Sequence, residues 1–122
     1  MKFILKQPGL KPEVVEQDSI GLSTLQHYVE GTVTCPHVPG LEKIGATLWA
    51  NDDGLCLDME PNLALFESGW YEPMLIVGPV LVTGVNQEGD TVGLTDDQVE
   101  KAKAILTNAE KLLIKLLGRG AI

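Results

Sequence analysis

Lysine and arginine are missing from the whole stretch between Lys43 and Lys101, although that stretch carries eleven carboxylates: Asp52, Asp53, Asp58, Glu60, Glu67, Glu72, Glu88, Asp90, Asp96, Asp97 and Glu100. Phosphate backbones are gripped mainly by Lys and Arg, so this half of the chain is poorly built for ordinary nucleic-acid binding. The full net charge is −8, which favours solubility and equally suits a basic partner or a surface mimicking a polyanion. Cysteine is scarce too, with only Cys35 and Cys56. Small secreted scaffolds usually hold more, and the opening Met1–Lys6 segment has only Phe3, Ile4 and Leu5 as a continuous apolar run, too short for a signal peptide. No stretch approaches the roughly 20 apolar residues that span a bilayer. Together these absences predict a cytoplasmic protein with reduced thiols and no membrane partner.

What is present predicts one α+β domain. A chain of 122 residues with 44% hydrophobic content can close a core without disulfides. Residues 2–7 and 13–17 read as strands joined by the breaker-rich segment Pro8-Gly9-Leu10-Lys11-Pro12. Leu22, Leu25 and Val29 place a short helix over residues 22–30, started by Ser19 or Gly21 and closed by Gly31. Residues 32–35 read as a strand stopped by Pro36. Residues 46–50 and 55–57 read as a β-hairpin around Asn51-Asp52-Asp53-Gly54, and Leu63–Phe66 as one helical turn after Pro61. The apolar run Leu75–Val82 reads as a central strand, with a bulge or an edge at Gly78-Pro79 because proline donates no ladder bond. The expected fold is a small, mostly antiparallel sheet, one short helix and a long C-terminal amphipathic helix.

That last helix has the strongest signal. Thr95 and Gln98 form a capping-box pattern, Asp96 and Asp97 suit its positive N-terminal dipole, and Gly118 and Gly120 stop it after Lys111, Lys115 and Arg119. Val99, Ala102, Leu106, Ala109, Leu113 and Leu116 repeat at 3-4 spacing, flanked by Ile105 and Leu112 and widened by Ile114 and Leu117. The organisation expected is a β-rich core over residues 1–94 and a helix over 95–122 that packs on the core and on another subunit. Leu106, Leu112, Leu113, Leu116 and Leu117 are the candidate interface of a homo-oligomer, because burying a leucine gains about 1.5–3 kcal/mol.

Few residues offer chemistry. Cys35-Pro36-His37 with His27 and Cys56 lacks the spacing of a zinc site, and Cys35 reads as a buried strand residue. Asn51–Gly54 with Asp58 and Glu60 misses the register of a calcium loop. The serines lack a nucleophile-elbow context, and Gly78–Gly84 lacks the spacing of a phosphate loop. No catalytic residue, metal or cofactor is expected. The aromatics are grouped instead: Trp49 before the acidic turn, and Trp70-Tyr71 between Gly69 and Pro73. Tryptophan and tyrosine offer rigid area with a polar handle, so Trp49, Trp70 and Tyr71, with Asn51, Asp53 and Asn62, are the candidate binding residues, although Trp49 reads at least as well as a core residue of its strand.

Several segments carry a family resemblance. They are the opening strand with Pro8-Gly9, Leu25-Gln26 with Val29 and Gly31, Asn51–Gly54, Pro61-Asn62 with Ala64-Leu65, Ile76–Pro79 with Gly84, and Leu94–Gln98. Over roughly residues 1–105 the chain resembles the family catalogued as domain of unknown function 3846, seen in phages and mobile elements of bacteria. The resemblance implies an accessory gene with no established chemistry. Family members often have Lys and Arg where Leu55 and Leu63 stand here. By analogy with other small phage proteins, the expected role is non-enzymatic binding of a host protein as an antagonist of host defence, with sequestration of a small nucleotide-type signal by an oligomer as the alternative.

Overall fold

A computed structural model describes residues 1–118 of the chain. Arg119 and Gly120, expected to complete the basic end and the stop of the last helix, lie outside the described residues. The observed class is α+β, as expected.

Strands β1 (Lys2–Lys6) and β2 (Glu13–Glu16) form the first antiparallel pair, with Phe3 opposite Val15 and Ile4 opposite Val14. Helix α1 (Leu22–Val29) buries Leu25 and Val29 but leaves Leu22 exposed; Ile20, just ahead of it, is buried instead. Glu30, at φ 65°, takes the left-handed closing position expected of Gly31. Strand β3 (Val33–Thr34) follows, then a short helix α2 (Pro39–Glu42) with proline at its start. The remaining elements are β4 (Ala46–Asn51), β5 (Pro61–Leu65), β6 (Met74–Val77), β7 (Val80–Val85), β8 (Thr91–Val92) and α3 (Asp96–Leu116). The main sheet runs β2-β1-β7-β4-β3, with β8 also on β7, while β5 and β6 form a separate two-stranded sheet.

Three expectations fail here, each for a local reason. Residues 55–57 are not a strand. The side-chain oxygen of Asn51 accepts from the Asp53 N–H at 2.7 Å, and Leu57 N–H donates to Asp53 at 3.0 Å, so Asp52–Asp58 coils into consecutive turns. Strand β4 already pairs with β7 and β3, which leaves no edge for a hairpin partner. Residues 63–66 are not a helical turn: Leu63, Ala64 and Leu65 belong to β5 and pair with Ile76, Leu75 and Met74. The apolar run 75–82 is two strands in two sheets. Gly78, at φ 77°, makes the passage, and an added Cβ there would meet the Met59 sulfur at 2.5 Å.

Alternation along the main-sheet strands sorts the core into two layers. Phe3, Leu5 and Leu81 meet Ile20 and Leu25 on the α1 side. Ile4, Val80, Val82 and Leu48 face the other way, where α3, α2 and the small sheet cover them. On α3, Val99, Ala102, Leu106, Ala109 and Leu113 are buried, and Leu116 is exposed. The capping box is formed: Gln98 N–H donates to Thr95 Oγ1 at 3.2 Å, and Thr95 N–H donates to Gln98 Oε1 at 2.8 Å. Gln98 also donates to the Ile44 carbonyl at 2.7 Å, which fixes the helix start against the loop before β4.

On the α3 side Lys6 is fully buried. Its Nζ donates to the Gln7 carbonyl at 2.8 Å, Asn62 Oδ1 at 2.9 Å and Glu110 Oε2 at 3.0 Å, which satisfies all three donors. Asn62, equally buried, donates to the carbonyls of Lys6 and Gly78, each at 2.8 Å. This network ties β1, β5, α3 and the β6–β7 passage together. Lys6→Ala is expected to destabilise the fold by about 3–5 kcal/mol in urea denaturation, since it strands Asn62 and Glu110 without their cation. A loss below 1 kcal/mol, on the scale of an exposed pair, would contradict this account.

Candidate functional site

The predicted binding residues do not converge. Trp49 is half-buried on the α1 side of the main sheet, and its indole N–H donates to Thr83 Oγ1 at 2.9 Å. Trp70 is half-buried on the opposite, α3 side. Asn62 lies wholly inside the Lys6 network, out of reach of any partner. Asn51 is buried as well; it donates to the Val29 carbonyl at 3.0 Å and accepts from Asp53 N–H, so it shapes the turn rather than presenting a free amide. Asp53 and Tyr71 are exposed, Tyr71 completely so. The interface candidates divide in the same way. Leu106 and Leu113 are buried in the chain's own core, Leu112 is half-buried, and Leu116 and Leu117 are exposed beside Ile114.

What the fold does bring together is a groove of about 290 Å³ between β6 and the β3–β4 end of the main sheet. Leu75, Ile76 and Val77 form one wall, Thr34, Pro36 and Ala50 another, and Gly54, Leu55 and Cys56 close it. Two of its lining leucines are exposed, Leu55 at 72% and Leu75 at 48%, and Leu57, at 58%, lies two residues beyond Leu55 in the same turn segment. Asp52 lines it, and Asp53 and Asp58 lie exposed in the same turn segment. None of these three carboxylates has an ion-pair partner among the described residues. The leucines were the missed residues. Their signal was three large apolar side chains, Leu55, Leu57 and Leu75, in the cation-free stretch, two of them assigned to a strand that does not exist.

A second groove, of about 420 Å³, runs between β5 and α3 and is lined by Ala64, Leu65, Phe66, Ile105, Ala109 and Leu112. Its one carboxylate, Glu67, already accepts from Gly40 N–H at 2.9 Å. Among the described residues no three of His, Cys, Asp and Glu gather closely enough to hold a metal ion, and no helix is long and apolar enough to cross a membrane.

Cys35 is exposed just after β3 rather than buried on a strand. Partial burial of its sulfur pushes the thiol pKa up, and the negative charge of Glu42 adds to the effect. The imidazole of His37 sits 2.6 Å from Glu42.

Over residues 1–107 the sequence matches the family described as Domain of unknown function (DUF3846). The chain belongs to this family. As a DUF3846 member it contributes to the match its whole sheet system and the first half of α3, including both walls of the β6 groove. Ile114, Leu116 and Leu117 lie beyond the matched residues. No curated protein and no solved structure gives a significant match.

A raised thiol pKa means less thiolate at a given pH. In a Cys56→Ser variant, Cys35 is therefore expected to react with an aromatic disulfide at pH 8 several-fold more slowly than the same thiol in urea. Equal rates would remove the proposed effect of burial and Glu42.

Proposed function

We propose that this protein acts by binding, without turnover, and that it engages a protein partner through the acidic, leucine-bearing turn Asp52–Asp58 and the adjoining β6 groove. The observation that carries the reading is the exposure of Leu55 and Leu75 at one groove lined by Asp52, a carboxylate without an ion-pair partner among the described residues, with Leu57 exposed in the same turn. Leaving such side chains in water forgoes about 1.5–3 kcal/mol for each that a partner could fully bury. The family resemblance supplies the biological setting: an accessory protein of a phage or mobile element, acting in the host cytoplasm on a host component as a defence antagonist. Sequestration of a nucleotide-type signal has less support, because no Lys or Arg is among the described residues that line either groove to meet phosphate.

Affinity capture from bacterial lysate tests the reading when wild type is compared with a Leu55→Ser/Leu57→Ser double variant. The expected result is a partner held by wild type and lost by the variant at unchanged melting temperature. Equal capture by both proteins would place the binding surface elsewhere.

A separate surface supports self-association. Ile114, Leu116 and Leu117 are 41%, 54% and 46% accessible at the end of α3, next to the cations Lys111 and Lys115 in an otherwise acidic chain. A second copy supplies both apolar area and negative charge. Replacing all three residues by serine is expected to lower the mass measured by light scattering to that of a single chain while leaving the fold intact, because none of them is in the core. A wild-type mass already equal to one chain would end the proposal.

A further inference from the structure

We infer that β6 accepts an extended, basic and apolar segment of a partner protein as an added strand, an inference that rests on the binding reading above and specifies the partner's chemistry. Strand β6 pairs with β5 on one edge only. Its other edge borders the groove, with the β3–β4 end of the main sheet as the facing wall. A strand edge exposes a row of backbone donors and acceptors, and proteins normally guard such edges with charge, proline or very short length. The outer strands of the main sheet are guarded in this way: β2 carries Glu13 and Glu16, and β3 is two residues long. By contrast β6 reads Met-Leu-Ile-Val, without a charge, and Leu75 is half exposed.

The groove limits where the added strand can lie. At Val77 the edge is occupied by Gly54, since a Cβ on Gly54 would fall 2.8 Å from the Val77 side chain and 3.5 Å from its carbonyl oxygen. The open stretch is therefore Met74–Ile76. Leu55 and Leu75 offer contact to alternate apolar side chains of the incoming segment, which is how strand addition gains its specificity.

Charge selects the partner. Asp52 lines the groove and Asp53 is exposed next to it in the turn, both without ion-pair partners among the described residues, and no Lys or Arg is among the described residues that line it. An acidic segment would meet only repulsion there, whereas lysines alternating with valine or isoleucine would pair with the carboxylates while their apolar neighbours cover the leucines. The groove beside β5 lacks this complement, because its only carboxylate is held by Gly40.

The test uses the full chain and three synthetic peptides of about ten residues: lysine alternating with valine and isoleucine, the same peptide with glutamate for lysine, and the lysine peptide N-methylated at alternate amides. The lysine peptide is expected to bind at least about tenfold more tightly than the glutamate peptide at low salt, and to lose affinity as salt rises. Backbone NMR shifts should be largest at residues 74–76. N-methylation should abolish binding, and Asp52→Asn/Asp53→Asn should weaken it several-fold. Equal binding of the lysine and glutamate peptides, full binding of the N-methylated peptide, shifts centred on β5, or no binding of any peptide would each overturn the inference. If the peptides fail while lysate capture still depends on Leu55 and Leu57, strand addition falls and the broader binding surface stands.

Discussion

A lysine buried without any contact to water is the constraint on which the rest of this structure depends. Removing an ammonium group from solvent costs several kcal/mol unless every donor is matched, and Lys6 achieves the match only because three separate parts of the chain arrive together. Asn62 holds the small sheet to the end of β1, Glu110 holds α3 to both, and Gly78 turns the chain from one sheet to the other within reach of Asn62. Misplacing any one of them would leave a buried polar group unpaired. The network therefore favours one arrangement of small sheet, main sheet and helix over the many that an apolar contact alone would tolerate.

The same arrangement creates the β6 groove. Because Gly78 and Pro79 divert the chain after Val77, the small sheet sits over only part of the main sheet, and one edge of β6 is left facing the β3–β4 end. The turn segment Asp52–Asp58 bounds that gap instead of filling it, held there by Asn51. The charge pattern adds chemistry to the geometry, since the turn brings carboxylates to the groove from a stretch devoid of Lys and Arg. The proposed binding surface thus combines leucine, carboxylate and a strand edge in one place.

The long helix leaves less apolar surface exposed than its hydrophobic pattern suggested. A five-residue seam, Val99, Ala102, Leu106, Ala109 and Leu113, is consumed by the chain's own core. Ile114, Leu116 and Leu117 in its last turns are exposed, and Ile105 and Leu112 are half-buried along the groove beside β5.

By itself the sequence determined the α+β class, the β1–β2 pair, α1, the start of α3 and the division of charge, because each depends on local spacing, capping or composition. Gly78-Pro79 was also legible as an interruption, since proline's missing N–H and glycine's freedom are local properties. Tertiary structure alone decided that the interruption separates two sheets, that residues 55–57 leave the sheet, and that Pro61–Leu65 is a strand. Those outcomes depend on which edges were already paired: β4 had both neighbours, so the apparent hairpin had nowhere to form. Burial was decided in the same way. Trp49 and Trp70 were both candidate binding residues in the sequence, but the sheet stands between them, and Asn62, another candidate, is held inside by Lys6.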